Sequence, residues 1–228
     1  MAEEKDPLGS SWKVAGGVLA LIVVAVVAVL FLTSPSQKEG DGTSSLSPAP
    51  QAGQTSPPDV LAGGCPSLST DKAFPVKAPA TKWLRHPVGM ILPTSEVFGP
   101  AIHNDKFWRC YSRTPSGALM AGLGLGFSFT PGLQKDAAAD SAVRDKYFAE
   151  EAAAKKPEKW STIEGYRIIM ATDDAAVVEY YATVDQAEAT IRINLLWDNS
   201  ANDWRLDLVA GPPEISETID RTVFTRWR

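Results

Sequence analysis

Residues 189–209 read ATIRINLLWDNSANDWRLDLV, and their hydrophobic period is two. Ala189, Ile191, Ile193, Leu195 and Trp197 fall on one side of an extended chain, with Thr190, Arg192, Asn194 and Leu196 on the other, the pattern of a half-buried antiparallel strand. Six turn-forming residues follow, from Asp198 to Asp203, and alternation then resumes with Trp204, Leu206 and Leu208 against Arg205, Asp207 and Val209. Two such runs joined by a short polar loop form a hairpin. Upstream, Tyr166 to Ala171 and Ala176 to Thr183 flank Thr172-Asp173-Asp174, and Val184-Asp185-Gln186-Ala187 leads into the strand just described. The expectation is a meander of four antiparallel strands.

Working back from the meander, the sequence changes character. Asp136 to Lys156 is rich in Ala, Asp, Glu and Lys, with Val143, Tyr147 and Phe148 at helical spacing and Pro157 as a stop, which predicts a helix. Thr114-Pro115-Ser116-Gly117 predicts another helix start, with Thr114 as N-cap and Pro115 in the first turn. Its continuation, Gly122-Leu123-Gly124-Leu125-Gly126, is a poor helix former unless a neighbouring element packs closely on the glycines. Helices followed by a run of antiparallel strands read as α+β, with helices on one face of a curved sheet. Residues 65–113, with scattered prolines and short apolar runs, read as an irregular first part of the domain and residues 114–228 as its α+β core.

The N-terminal quarter reads as something other than a globular domain. After a short tail at 1–13, residues 14–32 (VAGGVLALIVVAVVAVLFL) carry no charge and no polar side chain, and as a helix they would span roughly 28 Å, the thickness of a bilayer core. A cleaved signal peptide is the competing reading, but the apolar run exceeds the usual signal length and no A-x-A-like site follows it. Residues 33–64, rich in Ser, Pro, Gly and Gln, read as a disordered tether with an end-to-end distance on the order of 30 Å. Lys5 and Lys13 before the span, against Lys38 after it, place the N-terminus in the cytoplasm. The sequence-based expectation is therefore a single-pass protein of the cell membrane with an extracytoplasmic C-terminal domain.

Chemistry-bearing residues are few. From Pro66 onward there are 19 Lys and Arg against 21 Asp and Glu, which gives no basic stripe for phosphate, so direct nucleic-acid binding is not expected. Two histidines, His86 and His103, read as surface or loop residues. Gly126-Phe127-Ser128-Phe129-Thr130 lacks the second glycine of a nucleophile elbow, and the glycines of 122–126 do not have dinucleotide-site spacing. No catalytic, cofactor or metal residues are assigned, and no cofactor is expected. Cys65 and Cys110, the only cysteines, read as one disulfide in an oxidising compartment. Leu61-Ala62-Gly63-Gly64-Cys65 has the look of a lipobox, but it lies about 30 residues too far from an apolar run for lipidation at Cys65. The tryptophans Trp83, Trp108, Trp160, Trp197 and Trp204 read as core.

A membrane span, a tether, helices and a curved antiparallel sheet together resemble the NTF2-like/cystatin-like (nuclear-transport-factor-2-like) domains of the inner-membrane scaffold proteins of conjugative type IV secretion. Gly99-Pro100 and Trp108-Arg109-Cys110-Tyr111-Ser112-Arg113-Thr114-Pro115-Ser116-Gly117-Ala118 also resemble a stretch recurring in membrane-anchored proteins of actinobacterial mobile elements. The resemblance implies a non-enzymatic scaffold or assembly component of a transfer apparatus. Its partners would be the membrane and other membrane-apparatus proteins, with homo-oligomers left open. The alternatives are a hydrolase or isomerase using a conical cavity with Asp173, Glu179 or Tyr180 inside it, and a cell-envelope binding module marked by an exposed aromatic patch.

Overall fold

The computed structural model describes residues 64–103, 107–129, 134–151, 159–185, 187–217 and 220–227, all within the compact unit Asp59–Arg228. The expected meander is its backbone. β5 (Thr162–Ala171), β6 (Ala175–Val184), β7 (Ala187–Asp198) and β8 (Asp203–Leu206) pair antiparallel in sequence order. Trp197 faces Trp204 across the β7–β8 hairpin, and Asp198 faces Asp203. The loop between them is held by Asp198 Oδ1, which accepts from Ser200 N and Oγ at 2.9 and 2.6 Å. Asn202 takes the left-handed conformation there at φ 49°, which asparagine tolerates better than most side chains.

Two short strands complete the sheet to six. β9 (Glu214–Ser216) pairs with β7 and β10 (Thr225–Arg226) with β5, so the C-terminal chain reaches opposite edges of the sheet. On the way it lays residues 220–224 over the sheet face turned away from the helix. Phe224 sits against Tyr181 at 6.0 Å between ring centroids, and Arg221 pairs with Glu188. Alternation on β6 decides which side chain meets what. Ala176, Val178, Tyr180 and Ala182 turn inward and are buried, while Val177, Glu179 and Tyr181 turn outward.

Against the inner face lies α1 (Pro115–Phe129), begun as its sequence suggests: Thr114 Oγ1 accepts from Gly117 N at 3.0 Å. Every residue of α1 but Phe127 is buried. Its glycines are where neighbours come closest. A Cβ on Gly122 would stand 2.2 Å from the Tyr180 hydroxyl, and one on Gly124 would stand 2.0 Å from that of Tyr111. Tyr180 uses the approach to donate to Leu119 O at 2.7 Å. A helix apolar all round needs cover on every side. The second cover comes from the stretch 65–113, which is not merely irregular. It contributes β1 (Lys82–Arg85) paired with β2 (Ile91–Thr94), and β3 (Ile102–His103) paired with β4 (Trp108–Arg109).

Three expectations are corrected here. The fold is mainly β, with ten strands and two short α-helices among the described residues, and is not an α+β NTF2-like/cystatin-like arrangement of helices lying on one sheet face. The physical reason is α1 itself, which has no polar side to leave in water and is enclosed by strands from both directions. The helix expected from Asp136 to Lys156 starts later than expected, as α2 (Ala142–Glu151), and residues 152–158 lie outside the described residues. Ser141 Oγ accepts from Arg144 N at 3.0 Å and caps it. Before that cap, Ala139 N donates to Leu206 O at 3.0 Å and draws the chain along β8. Pro157 lies outside the described residues. The third correction concerns localisation: no helix among the described residues is long and apolar enough to cross a membrane. Single-pass membrane localisation with an extracytoplasmic domain thus has no support in the structure. Residues 14–32 and most of 33–64, on which that reading rests, lie outside the described residues.

Candidate functional site

The chain crosses itself most tightly at Asp203, the first residue of β8. Its side chain is 1% exposed and accepts from Cys110 N at 2.7 Å, Tyr111 N at 2.9 Å and Trp204 N at 2.9 Å. Arg205 completes the set at 3.3 Å. Burial pushes the Asp203 carboxyl up from its ordinary value, against the pull of these N–H groups and the guanidinium. Beside it Cys65 and Cys110 form a disulfide with a Cα separation of 5.3 Å, and Trp204 Nε1 donates to Ser112 O at 2.8 Å. Cys65, Cys110 and Asp203 bring ligand-type atoms within 4.8 Å of one another. Both sulfurs are bonded to each other and the carboxylate is saturated with donors, so the group is a structural clasp rather than a metal-ligand set.

His86 and Ser128 form a pair whose polarity can be read atom by atom. His86, 1% exposed, is buried rather than at the surface as its sequence context suggests. Its Nδ1 accepts from Val88 N at 3.3 Å, so the ring proton sits on Nε2, which faces Ser128 Oγ at 3.0 Å. The serine hydroxyl donates onward to Gly124 O at 2.5 Å. A histidine acting as base needs an unprotonated nitrogen on the hydroxyl, and here that nitrogen donates. Burial pushes the imidazole down to about 4. His103, exposed as its sequence context suggests, packs its ring edge-on against Trp108 at 5.0 Å, and His86 packs on the same indole at 4.7 Å.

Outside the sheet a row of charges runs across four strands. Arg167 on β5, Glu179 on β6, Arg192 on β7 and Glu214 on β9 stand in register. Glu179 is buried between the guanidiniums, accepting from Arg167 Nε at 3.0 Å and Arg192 Nε at 2.8 Å. Burial alone would raise its pKa, but the two arginines outweigh burial and hold it below the ordinary glutamate value. Of the residues weighed for a cavity, then, Tyr180 points in, Glu179 points out, and Asp173 lies in the exposed β5–β6 turn, paired with Lys72 at 2.5 Å. The fold does not bring them together. Alternation along a strand already puts 179 and 180 on opposite faces.

Two clefts open beside Trp197. A cleft of about 220 Å³ opens between residues 65–70, Lys72, Arg113 and Trp197. A wider one of about 530 Å³ lies on the other side, rimmed by Asp136, Asp140, Arg144, Asn199 and Ser200. Arg113 lies 5.1 Å above the indole. Trp197 itself is 7% exposed, so it forms a wall and offers no stacking platform. Sequence reasoning found Trp197 as core but missed the rim, since Asn199 and Ser200 read simply as turn residues.

Against known proteins, no curated protein and no solved structure matches the chain. A model of a domain of unknown function, DUF8175, matches residues 46–223. That span includes the clasp, α1 and every strand but β10, and the chain belongs to the DUF8175 family.

Proposed function

We propose that the domain works by binding, as a non-enzymatic scaffold that recognises a protein partner on the rim of the two clefts at Trp197. The observation that carries this reading is the filled interior. The inner face of the sheet, where an enzyme built on such a sheet would keep its substrate, holds α1, buried but for Phe127, together with fully buried Tyr180 and Trp204. The orientation of the Ser128–His86 pair supports the same reading, because its proton arrangement opposes nucleophile activation. The rim has the composition of a polar recognition surface: carboxylates, a guanidinium, an amide and a hydroxyl around an apolar wall. The helix-on-sheet part of the resemblance to transfer-apparatus scaffolds is not the fold found, so the reading stays at the level of partner binding.

The test compares two variants in the native host, with the tagged full-length chain as bait. Asn199→Arg, at the exposed rim, should abolish co-purification of the physiological partner and leave the melting temperature unchanged. Ser128→Ala should retain it. Loss of biological function in a folded Ser128→Ala protein, with Asn199→Arg unaffected, would return the enzyme reading.

A further inference from the structure

The hairpin β1–β2 is attached by packing along its body, through Leu92 of β2 and Trp83 of β1 against Trp227, and by a polar contact at its tip. Neither it nor β3–β4 shares a ladder with the six-stranded sheet. The stretch carrying both hairpins is clipped at its base by the Cys65–Cys110 disulfide. At the tip, residues 86–90 form a closed turn, with His86 N donating to Met90 O and Gly89 N donating to His86 O, both at 2.8 Å. His86, Val88 and Met90 are 1%, 6% and 1% exposed. What holds the tip on α1, besides apolar packing, is the buried contact from His86 to Ser128.

That contact exists in only one protonation state. An imidazolium donates from both nitrogens, so a proton on Nδ1 would confront the Val88 N–H that Nδ1 now accepts. Among the described residues no counter-charge awaits it either. α1 and β2 carry no ionisable side chain, β4 offers Arg109, β3 offers His103, and β1 offers Lys82 and Arg85. Trp160 packs over Gly89, and its neighbour Lys159 is already paired with Asp185 at 3.0 Å. A proton arriving at His86 thus meets cations, an indole and a main-chain N–H.

We infer that the β1–β2 hairpin is an acid-released flap: protonation of His86 ejects the tip from α1 and uncovers the Ser128 end of the helix, while the disulfide clasp keeps the base in place. The device is independent of what the domain binds. The ionic contacts between this stretch and the sheet, Lys72–Asp173 and Arg113–Asp174, involve no histidine and do not share the response. The hydrogen bond and charge of Lys72 hold the Asp173 carboxyl below its ordinary value.

The experiment is hydrogen exchange of the full-length, disulfide-intact chain at pH 7 and pH 5, corrected for the intrinsic pH dependence of amide exchange. With an imidazole of about 4 when closed and about 6.5 when released, the opening constant for residues 82–94 should rise about 20-fold. Amides of β6 and β7, which open only with the whole domain, should exchange far more slowly than 82–94 at both pH values, and His86→Gln should remove the acceleration at 82–94. Protection at 82–94 as high as in β6 and β7, no acceleration at 82–94, or acceleration that survives His86→Gln would each overturn the inference. Titration of the wild-type histidine ring protons gives a readout that needs no variant. A His86 midpoint at or above pH 6 in the folded protein would overturn it as well.

Discussion

Replacing Asp203 by alanine strips three main-chain N–H groups, those of Cys110, Tyr111 and Trp204, of their acceptor at a site that is 1% exposed. A buried donor left without a partner costs about 1–3 kcal/mol. Relief of the carboxylate's own burial offsets part of the sum, so the expected loss is roughly 3–6 kcal/mol. Asparagine separates the contributions. Its remaining oxygen can keep Tyr111 N and Trp204 N, which share Oδ1, but its amide nitrogen then faces Cys110 N and Arg205. Asp203→Asn should therefore cost about 1–3 kcal/mol. The assay is urea unfolding of the oxidised protein with both variants, checked for unchanged dependence on denaturant concentration. A domain of this size should also lose on the order of 10 °C in melting temperature for the alanine change. An alanine variant within 1 kcal/mol of wild type, or an asparagine variant as damaged as alanine, would refute the role given to the clasp.

Reducing the Cys65–Cys110 disulfide frees a loop of 45 residues, and the chain-entropy argument gives a loss of about 4 kcal/mol, measurable as the difference in urea midpoint with and without reductant. His86 has a folded pKa of about 4 against about 6.5 unfolded, so the unfolded chain binds the extra proton between those values. Stability should accordingly be full above pH 6.5, fall as pH drops through that window by at most about 3 kcal/mol, and level off below it, with His86→Gln flattening the profile in a denaturation series. Gly122→Ala would set a methyl 2.2 Å from the Tyr180 hydroxyl and should destabilise the fold by about 2 kcal/mol or more. Pairing it with Tyr180→Phe should recover part of that loss in a double-mutant cycle.

The meander was legible because its strands alternate cleanly and their polar turns are short, so the register of Trp197 opposite Trp204 follows from the hairpin pattern. The start of α1 was legible too, since a cap needs only Thr114 and the residues just after it. The role of α1 was not. Fifteen residues, all apolar or glycine except Ser116 and Ser128, indicate burial but do not say that cover would come from two small hairpins preceding the helix in sequence. Asp203 looks in sequence like one more polar residue after a turn. Its burial depends on Cys110 and Tyr111, more than 90 positions away, a pairing no local window contains. His86 was misplaced for the same reason, because Ser128 lies 42 residues on. Asn199 and Ser200 do form the turn they suggest, and become a cleft rim only because 136–144 folds beside them.

The row Arg167, Glu179, Arg192, Glu214 also determines how this face of the sheet is felt from a distance. Its charges alternate in sign at strand spacing, so their fields cancel beyond a few ångströms, and salt screens the residue within about 10 Å. A macromolecule approaching this side is neither drawn in nor turned away, and association there would proceed at rates nearly insensitive to ionic strength.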